Sequence, residues 1–168
     1  MSLEQHLDAI FTADRNLRKA ETALIQGAPG AVAKLLSAAV DEARKHKDAR
    51  EAELRLSRLA DLCAQVPGQE MVDALVRILD YDNPSVRVQA AEALVDVAYD
   101  RYVEVARAVE RALEGESGPA LRELPWVIAE VAEPSAAQLI KRFLAHDDPE
   151  VIASAITSGS SWAKKRLM

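Results

Sequence analysis

Apolar residues recur along this chain at steps of three and four, the spacing of one helix face, with few interruptions. Leu3, Leu7, Ile10, Phe11, Leu17 and Leu24 open the pattern, and GAPG at 27–30 breaks it, so a first helix should stop near Gly27. A second helix is expected over 31–46, with Val32, Leu35, Leu36, Ala39 and Ala43 turned inward. A third should start at Asp48, whose short carboxylate suits a helix N-cap, and carry Leu56, Leu59, Leu62, Cys63 and Val66 to Pro67 and Gly68.

The remainder of the chain repeats a helix–turn–helix plan. Helix 69–80 leads through YDNP (81–84) into helix 85–99, and helix 102–114 leads through GESGP (115–119) into a helix ending near Ala132. Helix 134–146 leads through HDDP (146–149) into a last helical segment with Val151, Ile152, Ala155 and Ile156. Pro84, Pro119 and Pro149 follow these turns at spacings of 35 and 30 residues. Proline is well placed in a helix's first turn, where its missing N–H has no intrahelical partner to lose. Asp82 and Asp148 stand just before, where an acid suits the exposed N–H groups and the helix dipole.

Two helices per 30–35 residues is the signature of stacked helical pairs. The stretch ILDYDNPSVRVQAAEAL (78–94) resembles a HEAT repeat of the short bacterial type, through its apolar first helix, Asp–x–Pro turn, Val86–Arg87 and Ala-rich second helix. FLAHDDPEVIASAI (143–156) is similar to it without the arginine, whereas 102–132 and 31–66 match mainly by helix spacing. The resemblance implies an all-α fold, an α-solenoid of about eight or nine helices in one domain, 1–168. Residues 1–30 would form a capping helix, 31–158 about four helix pairs, and 159–168 a basic tail or cap. It also implies a structural role between repeats for Asp82 and Arg87.

Composition supports the helical reading. The chain of 168 residues has 31 alanines but only 4% aromatic residues, which favours closely packed helices over a sandwich or barrel. The net charge of −6 is unevenly spread: 1–66 is neutral, 67–158 carries −9, and 159–168 carries +3. Nucleic-acid affinity rests largely on Lys and Arg, so nucleic acid is an unlikely partner for the acidic block. The single cysteine, Cys63, cannot form an internal disulfide, no window has the length of apolar chain needed to span a bilayer, and residues 1–15 lack a secretory pattern. A cytoplasmic protein without membrane contact is expected.

Candidate chemistry is sparse. His6, His46 and His146 lie far apart without metal-ligand spacing, and no phosphate-binding loop or nucleophile elbow occurs. His146–Asp147–Asp148 reads better as a turn before a helix than as a ligand set, and Cys63 among leucines reads as a core thiol. No cofactor, metal or catalytic residue is expected. HEAT-like glycosylases would need a basic groove, which the acidic block opposes; a HEAT-like lyase is kept as a minor alternative.

The expected function is that of a non-enzymatic scaffold or adaptor. In such solenoids the second helix of each pair lines the concave side, so its polar face is where a partner would sit. On helix 85–99 that face carries Gln89, Glu92 and Asp96, with Tyr99 at the border. On the helix after Pro119, Glu123, Trp126 and Glu130 fall opposite the apolar arc. A tryptophan among glutamates suits an anchor with an acidic rim for a basic protein or peptide. Two placements of Trp126 are open: outward among the glutamates on a regular helix, or inward in the core if Pro125 kinks that helix; a helix that starts near Leu124, with Pro125 in its first turn, is a further course. The tail SSWAKKRLM (160–168) either covers the end of the stack through Trp162 and Leu167 or is disordered. The alternative function is a structural subunit that self-associates or docks on a larger assembly through its terminal helices.

Overall fold

The computed structural model describes residues 1–115 and 118–168. Among the described residues the chain forms eight helices and no strand. They are α1 (Leu3–Ile25), α2 (Pro29–Arg44), α3 (Ala49–Gln65), α4 (Gln69–Leu79), α5 (Pro84–Glu114), α6 (Pro119–Glu130), α7 (Ala136–Leu144) and α8 (Pro149–Leu167).

The boundaries follow local chemistry. Asp48 accepts from the N–H groups of Arg50 and Glu51 to cap α3, Asn83 accepts from Val86 to cap α5, and Asp148 accepts from Glu150 to cap α8. His46 and His146 play matching parts two residues upstream: each Nδ1 accepts the N–H of the capping Asp, at 3.1 and 3.0 Å. HDDP is therefore a turn that caps a helix. Gly68 ends the α3–α4 turn at φ 116°, a conformation side chains resist. At the start of α6, Asp80 reaches across to accept the Ala120 N–H, and it comes so close to Gly118 that a Cβ there would lie 2.5 Å from its carboxylate. The expected turn at 115–119 includes 116 and 117, which lie outside the described residues.

The two helices expected at 85–99 and 102–114 are joined in α5, but Arg101 breaks the helical geometry with φ −134° and ψ 47°. Its guanidinium accounts for the kink. It donates to the carbonyls of Ala64 and Val66 at the C-terminal end of α3, where a cation is favourable, and pairs with Glu104 at 3.3 Å. The helix expected at 134–146 is shorter, spanning Ala136–Leu144.

Each helix touches only its first and second neighbours along the chain, among the described residues. Side chains from α2 to α8 form one continuous core, with Leu56, Leu75, Leu94, Leu124 and Phe143 fully buried in it. Each such side chain contributes about 1.5–3 kcal/mol by leaving water. On α2, Val32, Leu36 and Ala43 turn inward as expected, but Leu35 is exposed and Val40 takes a core position instead.

The polar links echo the packing. Arg77 of α4 bonds Asp41 of α2 at 3.0 Å and Ser37 Oγ at 2.7 Å, and Arg111 of α5 bonds Asp73 of α4. These pairs join α2 to α4, and α4 to the part of α5 beyond its kink. Arg87 instead meets Asp82 at 3.4 Å within one turn, and Asp82 is otherwise open to solvent. The ion pairs that bridge neighbours thus fall on other residues than this expected pair.

The two ends differ. α1 has no buried residue and meets only α2 and α3, with Leu24 and Ile25 packed at its root. It covers the end of the α2–α3 pair with its last turn alone. The tail 159–168 is helical, continuing α8 to Leu167. Trp162 packs on the core and donates from Nε1 to the Glu133 carbonyl at 3.1 Å, while Leu167 stays exposed.

Candidate functional site

The polar face of α5 before its kink meets that of α3 across a groove of about 410 Å³. From α5 it is lined by Gln89, Glu92 and Asp96, from α3 by Arg58, Asp61 and Gln65, and from the root of α1 by Glu21. Helical geometry puts Gln89, Glu92 and Asp96 on one side at steps of three and four, while Val86, Ala90, Leu94 and Val97 are drawn into the core. The same spacing aligns Arg58, Asp61 and Gln65 on α3, a signal present in the sequence.

Partners within the groove are unequal. Asp61 accepts from Gln89 Nε2 at 2.6 Å, and Arg58 bridges Glu21 at 3.1 Å and Asp61 at 3.6 Å. Glu92 and Asp96 are exposed and, among the described residues, neither has a cation within ion-pair distance. They sit four residues apart on one helix, where like charges repel by roughly 0.2–0.5 kcal/mol. Two adjacent carboxylates without a counter-charge form a site that a cationic group relieves.

The other expected contact residues take different positions. Tyr99, 63% exposed, continues the ridge one turn beyond Asp96. Trp126 stands 38% exposed on α6, because that helix runs through Pro125 from Pro119 to Glu130 and buries Pro125, Leu124 and Val127 on either side of it. Of the two placements open in the sequence, the structure has the outward one. Glu123 is half-buried. Glu130 is already engaged, accepting from Lys165 Nζ at 2.8 Å, while Arg166 donates to the Ala132 carbonyl and lies over the Trp162 ring. Gln89, Glu92 and Asp96 thus share one groove, whereas Tyr99, Glu123, Trp126 and Glu130 are not part of its lining.

A second, larger opening of about 940 Å³ lies where α1 splays away from α2 and α3. Its apolar walls are Leu17, Ala39, Leu54, Leu59 and Leu62; Arg50, Arg55 and Arg58 stand on its α3 side with Glu53 and Asp61, and Glu42 faces it from α2.

Reactive groups are held in structural settings. Burial pushes the Cys63 thiol up to about 12, outweighing the nearby Arg77, so it stays protonated in a sealed core. Burial likewise raises Tyr102, whose hydroxyl lies beside Ser135 without a well-formed hydrogen bond. Asp148 is held below its ordinary value, first by the Glu150 N–H that it caps and then by Arg122. Among the described residues, no three His, Cys, Asp or Glu side chains converge as a metal site, and no helix is long and apolar enough to cross a membrane. No protein-family model matches the chain, and no curated protein sequence is similar to it.

Proposed function

We infer that this chain is a non-enzymatic scaffold or adaptor, a HEAT-like α-solenoid that holds a basic protein or peptide segment along the acidic ridge of α5. The neighbour-only packing and the Arg–Asp links from α2 to α4 and from α4 to α5 support the stacked reading. The observation that carries the binding reading is the pair Glu92 and Asp96, exposed and without counter-ions beside Asp61 and Glu21. A lysine or arginine entering this groove would gain charge-assisted hydrogen bonds and relieve the repulsion already present. Tyr99 and Trp126 would flank it with aromatic surface for the segment's apolar parts or its cations. Glu123 and Glu130 would contribute mainly to the negative field, since one is half-buried and the other is bonded to Lys165. The field of residues 67–158 favours basic partners and opposes nucleic acid.

Selection from a random peptide display library tests this reading. Wild-type protein is expected to enrich lysine- and arginine-rich sequences, and the variant Glu92→Lys, Asp96→Lys to lose them while keeping its helical circular dichroism. Enrichment of neutral or acidic peptides, or the same peptides on both proteins, would sink the proposal.

A further inference from the structure

The first helix leaves a row of apolar residues uncovered: Leu3, Leu7, Ile10, Phe11 and Leu17 are between 36% and 89% exposed. Leu7, Ile10 and Leu17 follow steps of three and seven, a heptad-like seam for another helix, which ends where Leu24 packs on the chain's own core. Charge along α1 is segregated. Its first half carries Glu4, Asp8 and Asp14 with no lysine or arginine, and the second half carries Arg15, Arg18 and Lys19 against the single acid Glu21, which is paired with Arg58. A helix of this kind complements itself when a second copy runs antiparallel, acidic half beside basic half.

We propose that the chain forms a two-fold dimer in which the α1 helices of two copies pair antiparallel, each inserting most of its acidic half into the opening between α1 and α3 of the other. Centring the pair at the height of Thr12 sets Leu7 of one copy on Leu17 of its partner, a wall residue of that opening, with Leu54 beside it. The same register brings Phe11 against its symmetry mate and Glu4 alongside Arg18. Asp14, already bonded to Arg18 at 2.9 Å, falls opposite Ile10 as a polar interruption that fixes the register. Two turns of a helix about 10 Å across occupy about 850 Å³, so the 940 Å³ opening takes about two of the three turns of that half and leaves the third outside it.

This inference rests on the apolar face of α1 and not on Glu92 and Asp96, although Arg58, Asp61 and Gln89 line both openings. Sedimentation velocity of the full chain across a micromolar concentration series tests it. Wild type is expected to sediment as a dimer, and Phe11→Asp and Leu54→Asp each to weaken association at least tenfold; both side chains are exposed in the single chain, so its helicity should be unchanged. Glu4→Arg and Arg18→Glu should each weaken the dimer and together restore it. Ala13→Cys should cross-link two copies under mild oxidation, while Cys63, sealed in the core, does not react. A wild type that stays monomeric throughout, or a dimer that persists in Phe11→Asp and does not cross-link through position 13, would overturn the proposal.

Discussion

Helices α1 and α8 close the two ends of the described chain, with 23 and 19 residues, and both carry apolar residues at helical spacing. α8 buries Val151, Ala155 and Ser158 against the core. Its last two turns are then fastened by Trp162 to the Glu133 carbonyl, Lys165 to Glu130, and Arg166 to the Ala132 carbonyl. Among the described residues, α1 has one long-range polar link, Glu21 to Arg58, and buries no residue fully. The difference shows what an amphipathic pattern establishes. It states that a face is built to be covered, but the covering surface is supplied by whatever lies in reach. For α8 that surface is α6 and α7 of the same chain; for α1 the opening beside it is left wider than its own side chains fill.

The two phenylalanines give the sharpest way to break this comparison. Phe143, on α7 in the core that α8 covers, is wholly buried, and Phe11 on α1 is 52% exposed. Phe143→Ala should cost about 3–5 kcal/mol in urea unfolding through lost burial and the cavity left behind. Phe11→Ala in the single chain should cost within about 0.5 kcal/mol, as surface substitutions do. Equal costs would mean that α1 is docked as firmly as the rest.

Lys165→Glu has a smaller effect at the other end. The pair with Glu130 is partly buried, with side-chain exposures of 35% and 28%, so reversing its sign should destabilise the fold by about 1–2 kcal/mol, including the new repulsion. Loss of amide protection in hydrogen exchange should be confined to the last turns of α8. Protection unchanged there would show that Trp162 alone holds the end.

The smallest effect is a pH dependence at the start of α8. Asp148 is held below its ordinary value of 3.8, so its capping contribution is complete above that pH. It is lost as pH falls further, towards the lowered folded-state value, because the folded form then binds the proton that the unfolded form has already taken up. Stability measured against pH should therefore lose part of its acid-side slope in Asp148→Asn. An unchanged slope would place the acid sensitivity elsewhere.

Much of the helical framework is legible in the chain, because proline, glycine and capping residues mark where helices begin and end whatever surrounds them. Asp48, Pro84 and Pro149 sit at or beside their expected starts, and Arg101 breaks α5 where a break between two helices is expected. What depends on neighbours is less legible. Leu35 fits the apolar stripe of α2 yet stays outside, since Val40 lies nearer the packed side. The bridging pairs Asp41–Arg77 and Asp73–Arg111 join residues 36 and 38 apart, and no local rule distinguishes those arginines from others on the surface. The groove was half legible: the α5 side follows from spacing on one helix, but Asp61 and Glu21 join it only once α3 and α1 are placed beside it.

Packing confined to first and second neighbours has a kinetic meaning as well. Every helix–helix contact closes a short stretch of chain, so the entropy lost in bringing partners together stays small at each step. The low contact order that results is the condition under which helical proteins fold quickly, since no pairing waits for two remote segments to find each other. Order can spread along the chain from any helix pair that forms first, each new helix arriving at a surface its predecessors have already made.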